Sequence, residues 1–442
     1  EHNFYANGVK IVVEKRANNS SSYTSTVVKP DFTSNGDIHT MTYTFSDNAD
    51  YKFSVECTDL AGNEQEEAYS TDFTVDKIKP VVNVTYDNNS AENGNYYKSS
   101  RTATIKINEH NFYADGVKIV VEKRANNSSS YTSTVVNPDF TSNGDIHTMT
   151  YTFSDDADYK FSVECTDLAG NEQNAVYKDE FTVDKTKPVI NVTYDNNSAS
   201  NSRYFKAART ATIKVTEHNF DTKNGSKLTV TAKDASGRTV KTYADSITSW
   251  TKSGDVYTAK VEFKDDANYT FDFAYTDMAG NTSGRVNYGS SKAPESFTVD
   301  TVKPQGTVKI GSLTSDSSFR NSYDFTRWSN RSQEVSITDS DTLSGIDHVE
   351  YLRTDKIYNE TQAAKAAGWM RADNLSTSFS ISPDEKVIIY VHIVDKAGNE
   401  TYISSNGVIF DATKPVVEKE APQIKITPGK TSFSGVFNSD VP

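Results

Sequence analysis

Residues 151–171 read YTFSDDADYKFSVECTDLAGN, and the fold is decided in this stretch. On one side of its acidic turn Met149, Tyr151 and Phe153 alternate with polar residues; on the other, Tyr159, Phe161, Val163 and Cys165 do the same. A period of two places each set on one face of a strand. Between the two runs, Asp155, Ala157 and Tyr159 have the Asp-x-Ala-x-Tyr spacing of a tyrosine corner. In that device the hydroxyl at the start of a strand bonds the backbone of the turn leading into it. The closing Leu-Ala-Gly-Asn is a turn signal, with Gly170 suited to a positive φ.

The same alternation extends outward. Val82, Val84 and Tyr86 share a face, as do Ala103, Ile105 and Ile107, then Val117, Ile119 and Val121, and finally Phe181 and Val183. A turn signal about every ten residues and roughly seven strands indicate an antiparallel sandwich of immunoglobulin-like size. The corner recurs at Asp47, Ala49, Tyr51 and at Asp265, Ala267, Tyr269. Two residues beyond each tyrosine stand Phe53, Phe161 and Phe271, where aromatic packing takes the place of an inter-sheet disulfide. A fourth copy has Val387, Ile389, Val391 and Ile393 in this strand and no tyrosine.

These copies are whole domains in series. EHNFYANGVK at Glu1 returns as EHNFYADGVK at Glu109, and over 80 aligned positions only ten differ, seven of them between Glu66 and Ile78. The motif TDLAGN at Thr58 and Thr166 becomes TDMAGN at Thr276 and VDKAGN at Val394. Pro80, Pro188, Pro304 and Pro415 each follow a joint aspartate, Asp76, Asp184, Asp300 and Asp411. A period this long fits tandem domains rather than a solenoid. The expected organisation is repeat 1 at 1–76, lacking its first quarter, repeat 2 at 77–184, repeat 3 at 185–300 and a divergent repeat 4 at 301–411. Residues 412–442 are expected to be a linker and the start of a fifth repeat, so the chain reads as part of a longer array.

Composition narrows the function. Aromatics make up 11% of the chain, as 25 Tyr and 22 Phe among others, against 35% hydrophobic residues, which suits small sandwiches with one wet face per sheet. The net charge of −14 supplies no basic stripe for nucleic acid. No apolar run is long enough to cross a membrane. Cys57 and Cys165 occupy the same position in sister repeats, so no disulfide forms within a repeat and no thiol pair binds zinc. Both are expected to be buried small hydrophobes.

The stretches TATIKINEHNF, YTFSDDADYKFSVECTDLAGN and FTVDKTKPVINVTYDNNSA resemble the bacterial immunoglobulin-like repeats of large cell-surface, adhesin-type proteins. SGIDHVEY at Ser344, together with VDKAGN, resembles a related variant. The resemblance implies an extracellular, wall-anchored setting and a non-enzymatic role. One implied function is multivalent binding of a host protein or glycoprotein, immunoglobulin among the candidates; the alternative is a passive stalk that presents a distal binding domain.

Candidate sites are few. Tyr131 and Phe140 in SSSYTSTVVNPDF, their counterparts Tyr23 and Phe32, and Trp250 in repeat 3 are candidate binding aromatics, since Ser, Asn and Tyr together make adaptable surfaces. An aromatic just before a strand also serves to seal a sandwich end. Asp167 and Asn171 of DLAGN read as turn-stabilising groups, and Glu109-His110-Asn111 as an inter-strand loop with Phe112 turned inward. No cofactor is called for. Calcium is the one metal with a case, through the joint acids Asp76, Asp184, Asp300 and Asp411 and the neighbouring SDDAD turn, although DKTKP sets two lysines around its single acid. A single helix is expected in repeat 4, capped by Asn359 with Gln362 three residues on and closed by Gly368.

Overall fold

The computed structural model describes residues 1–416 apart from 19, 127, 285, 287–294, 373–377 and 382–383. Most of the expected fifth repeat therefore lies outside the described residues. The chain divides into two compact units. One comprises Glu1–Val189, Thr216–Gly225 and Tyr275–Ser283; the other comprises Ile190–Val215, Ser226–Ala274 and Gly284–Pro442.

Within the first unit, repeat 2 is a two-sheet sandwich. Its five-stranded sheet runs in the order Thr132–Val136, Val117–Ala125, Ala157–Cys165, Tyr177–Val183 and Tyr96–Tyr97. The opposing sheet orders Thr141–Asn143, Ile146–Phe153, Arg101–Asn108 and Val81–Tyr86. All pairings are antiparallel except the last of the first sheet, where Thr182 and Val183 run parallel to Tyr96 and Tyr97. The alternating residues meet between the sheets, with Ile105, Ile107, Ile119, Phe161 and Val163 at 0–1% exposure. The corner forms as expected: the Tyr159 hydroxyl donates to the Asp155 carbonyl at 3.1 Å, and Tyr51 and Tyr269 repeat the bond to Asp47 and Asp265 at 3.2 and 2.8 Å. Gly116 is required by close approach, since a Cβ there would sit 2.2 Å from the Thr166 carbonyl oxygen.

One core device was not anticipated from the pattern. Arg101 begins a strand yet is 6% exposed. Its guanidinium lies over the rings of Tyr86, Tyr97 and Phe181 at 3.5, 4.3 and 4.6 Å and bonds Asp179 at 3.0 Å. Arg209, in the other unit, repeats this with Tyr194, Phe205, Phe297 and Glu295.

Repeat 1 shows a single four-stranded sheet, Thr24–Val28, Val9–Ala17, Ala49–Cys57 and Tyr69–Val75, with a separate hairpin Thr33–Asn35 and Ile38–Thr40. This corrects the expectation for Cys57. Cys165 is buried but Cys57 is only partly so, because no described strands form a second sheet over its face. Burial pushes the Cys165 thiol up to about 11, with Glu109 and Asp167 adding to the effect.

In the second unit, repeat 4 packs the sheet Thr314–Asp316, Gln305–Ile310, Gln333–Ser340 and Ser378–Ile381 against one centred on Glu385–Asp395. That central strand is apolar on both faces. Val387, Ile389, Val391 and Ile393 fill the sandwich, while Ile388 and Tyr390 point outward beneath a second cluster with Leu352 and Ala363. Ala363 belongs to the expected helix, Glu360–Ala364, where Asn359 and Gln362 form a capping box. The helix is a lid: Trp369 Nε1 donates to the Ala363 carbonyl at 3.1 Å, and the Tyr390 hydroxyl donates to the Lys356 carbonyl at 3.1 Å.

Candidate metal centres at the repeat joints

Asp76, Asp184 and Asp300 each follow directly on the last strand of their repeat and meet two motifs of the next. At the first joint, Asp76 comes together with Glu109 and Asp167; at the second, Asp184 with Glu217 and Asp277; at the third, Asp300 with Asp341 and Asp395. In each trio, one carboxylate oxygen per residue lies within 4.8 Å of the other two.

Local bonds hold every acid in place. In the AGN turn, Gly170 adopts φ +89°, and the Asn171 backbone and side-chain nitrogens each donate to the Asp167 carboxylate at 2.8 Å. Asn281 and Asn399 do the same to Asp277 and Asp395. The Glu109 carboxylate accepts from the Asn111 backbone at 2.9 Å, and Glu217 from Asn219 at 2.8 Å. The joint acids are tied across the boundary: the Asn111 side chain donates to Asp76 at 3.0 Å and the Asn219 side chain to Asp184 at 2.9 Å. In repeat 4 the glutamate motif is gone, and Asp341 in a different loop supplies the acid while the Ser344 backbone donates to Asp300 at 2.9 Å.

The turn asparagines also span the joints. Asn171 Nδ2 donates to the Asp76 carbonyl at 3.2 Å, Asn281 to that of Asp184 at 2.8 Å and Asn399 to that of Asp300 at 2.8 Å.

Burial sets the electrostatics. Glu109 and Glu217 are 3% and 4% exposed, and Asp277, Asp300 and Asp395 no more than 1%. Loss of water, with the neighbouring acids adding to it, pushes Glu217 up to about 7 and Glu109 in the same direction. Asp184, Asp277, Asp300 and Asp395 are raised for the same first reason. Among the described residues no lysine or arginine pairs with any of the nine acids. One oxygen each of Glu109, Glu217 and Asp341 is buried without a hydrogen-bond partner. Repeat 1 provides a comparison: Asn3 bonds Glu1 and Asn63 bonds Asp59 just as in the later repeats. Glu1 is exposed and Asp59 half-buried, and Asp59 is held below its ordinary value, chiefly by the Asn63 side chain.

The sequence marks the joint aspartates, with Glu109 as a loop acid and Asp167 as a turn acid. Only the meeting of three separate segments unites them. Asp411 accepts from the Thr413 backbone at 3.0 Å, and most of the expected fifth repeat lies outside the described residues. The SDDAD acids stand elsewhere, Asp155 pairing Lys123 at 2.6 Å. The candidate binding aromatics are engaged locally. Tyr131 lies under Arg124 and Lys160 at 5.0 and 4.9 Å, and Tyr23 under Arg16 and Lys52 at 5.0 and 4.7 Å. Phe140 meets Phe112 edge-on at 5.3 Å, Phe32 meets Phe4 at 5.1 Å, and Trp250 Nε1 donates to the Ile247 carbonyl at 3.0 Å. In a further group, His348, Glu350 and His392, both His392 nitrogens face carboxylates, of Glu350 and Glu400, at 3.3 Å.

Residues 298–412 match the bacterial Ig-like domain family. Repeat 4 is a bacterial Ig-like domain. The chain is also similar to several solved structures. The tetra-tandem repeat in the extending region of a large adhesion protein is 13% identical, covering 93% of this chain and 94% of that one with a TM-score of 0.38. Dimeric latent PorU from Porphyromonas gingivalis is 10% identical over 80% of this chain and 36% of that one, with a TM-score of 0.20. The FN1–FN3 domains of chicken CNTN1 are 11% identical over 66% and 89% of the two chains, with a TM-score of 0.19. No curated protein matches the chain.

Proposed function

We propose that this chain is a spacer segment of a bacterial surface protein, a structural rather than an enzymatic element. The observation that carries the reading is the recurring joint. Three times, the turn asparagine of one Ig-like repeat donates to the last-strand aspartate carbonyl of the repeat before it, at 2.8–3.2 Å. A flexible linker makes no such contacts, whereas an array meant to hold its repeats in order needs them at every joint. Small-angle scattering on the intact chain tests this. Replacing Asn171, Asn281 and Asn399 together by Ala should lower the maximum dimension and broaden its distribution. Unchanged profiles would remove the support.

A second reading, multivalent capture of a host protein or glycoprotein, is favoured by the open sheet edges of repeats 1 and 2. Thr24–Val28 and Thr132–Val136 are outermost strands, with Val27 and Val135 at 66% and 64% exposure, the kind of edge that accepts an added strand. Near-identical repeats would then act together through effective concentration. Surface binding to immobilised secretory proteins, with immunoglobulin included, tests it. Binding lost on Val27→Lys with Val135→Lys supports an edge site, and loss on Tyr131→Ala with Phe140→Ala supports the aromatic loop.

A further inference from the structure

We propose that His348, Glu350 and His392 form a zinc site on the outer sheet face of repeat 4. The inference goes beyond the spacer reading and is independent of it, because all three ligands belong to one repeat.

Strand alternation puts the three side chains on one face. In Ile346–Thr354, Val349 turns into the sandwich, so His348 and Glu350 on either side of it turn outward. In Glu385–Asp395, Val391 and Ile393 turn in, and His392 turns out between them. The two strands are antiparallel neighbours, and their register sets Glu350 directly opposite His392. Leu352 and Tyr390, one step along the same face, lie under the helical lid, and the polar trio occupies the face beyond it. The His392 ring is held in place: Tyr402 stacks on it at 4.2 Å, and Trp369 meets it at 5.9 Å.

The donor set suits zinc. Two imidazoles and a carboxylate are borderline ligands of the kind zinc takes, with a fourth position left for water or another donor. Tetrahedral zinc with bonds of about 2.0–2.2 Å sets its ligand atoms about 3.3–3.6 Å apart. His392 Nδ1 and Glu350 Oε2 are 3.3 Å apart, the length of such an edge and longer than the about 2.7–2.9 Å of a charge-assisted hydrogen bond. One donor atom from each of the three residues lies within 4.8 Å of the other two, so modest side-chain rotation closes the set. The His348 and Glu350 side chains are 25% and 32% exposed, which gives both the freedom to rotate and a path for the ion. Arg371 stands opposite Glu350 on the neighbouring strand, but among the described residues it forms no ion pair with that carboxylate.

A second, independent observation concerns the other nitrogen of each ring. A histidine bound to a metal gives its remaining N–H to a carboxylate or carbonyl, which fixes the ring and raises its basicity. Both histidines have such a partner outside the trio. His348 Nδ1 lies 2.7 Å from the Asp347 carboxylate, which leaves Nε2 to bind the ion. His392 Nε2 lies 3.3 Å from Glu400, which leaves Nδ1, the nitrogen facing Glu350. Asp347 and Glu400 are thus positioning residues. The competing state is metal-free, with a protonated His392 between the Glu350 and Glu400 carboxylates.

The test is equilibrium dialysis of the full chain, first stripped with chelator, against zinc chloride, with millimolar magnesium present to suppress binding at carboxylates alone. His348→Gln and Glu350→Gln should each lower the number of tightly bound zinc ions by one. Asp347→Asn and Glu400→Gln should keep that number and weaken binding by about 10–100-fold. Melting without zinc checks the fold of each variant, and only the first two should lose a zinc-induced rise in repeat 4. Nitrogen NMR of the histidine-labelled parent needs no variant: zinc should shift His348 Nε2 and His392 Nδ1, leaving their other nitrogens protonated. Three results would overturn the proposal: no tight zinc in the parent, the same number of ions in both His348→Gln and Glu350→Gln, or zinc on the opposite ring nitrogens. Unchanged affinity in both Asp347→Asn and Glu400→Gln would overturn the positioning role.

Discussion

Replacing Arg101 by Ala should destabilise repeat 2 by about 3–5 kcal/mol, a large effect for a residue at the start of a strand. The guanidinium is almost fully enclosed, with 6% exposure. It bonds Asp179 at 3.0 Å and the Asn88 carbonyl at 3.0 Å, and each charged hydrogen bond contributes roughly 1.5–3 kcal/mol. Over Tyr86, Tyr97 and Phe181 a desolvated cation adds one contact's worth of about 0.5–2 kcal/mol rather than three, since the rings share one charge. Water relieves part of the loss, because Asp179 is 29% exposed, which holds the sum within the range for breaking a buried ion pair, about 3–5 kcal/mol. For a domain of this size the melting temperature should fall by roughly 12–20 °C. The assay is urea and thermal unfolding of the intact chain, followed by tyrosine near-ultraviolet dichroism. Trp250, Trp328 and Trp369 all lie in repeats 3 and 4, so tryptophan fluorescence serves as an internal reference that should not move. Hydrogen exchange should show the loss in Arg101–Asn108 and Tyr177–Val183, and Arg209→Ala should transfer the defect to repeat 3. Arg101→Lys, with charge but no planar fork, should fall between parent and Ala. A loss below about 1 kcal/mol for Arg101→Ala would refute the reasoning and leave the aromatic packing alone as the source of stability.

Tyr159→Phe, which removes the bond to the Asp155 carbonyl at 3.1 Å, should cost about 0.5–1.5 kcal/mol in denaturant unfolding. Burial pushes the Tyr159 hydroxyl up to about 12, above the ordinary value near 10. Its contribution is therefore complete below pH ~10 and is lost as pH rises through about 12; phenolate absorbance should show this tyrosine ionising late, with a flatter alkaline stability limb in the Phe variant. A bulky thiol reagent at pH 8 should modify Cys57 well before Cys165, whose thiol is buried and raised to about 11; equal rates would contradict the difference in cover. Asn359→Ala should lower the stability of repeat 4 by about 1 kcal/mol through loss of the capping box, read as an earlier loss of Trp369 fluorescence.

What the sequence by itself determined is local. Alternation placed Phe161 and Val163 on the inward face, Asp-x-Ala-x-Tyr placed three hydroxyls over their turns, and Asn359 with Gln362 placed the helix start. Each of these depends on residues a few positions apart, so period and turn chemistry carry it without knowledge of the neighbours. The outward burial of Ile388 and Tyr390 was not legible, because a strand covered on both faces has no alternation, and the lid over it comes from a distant segment. Nor was the partial exposure of Cys57, since identical strands read alike whether or not a second sheet covers them. The acidic joints show the division most plainly. Asp59 and Asp277 sit in the same turn with the same asparagine bonds, yet Asp59 is held below its ordinary value and Asp277 above it. Burial removes water from Asp277, and Asp184 lies beside it. Desolvation and charge proximity depend on what the chain brings near in space, so only the tertiary structure could turn three ordinary loop acids into one site.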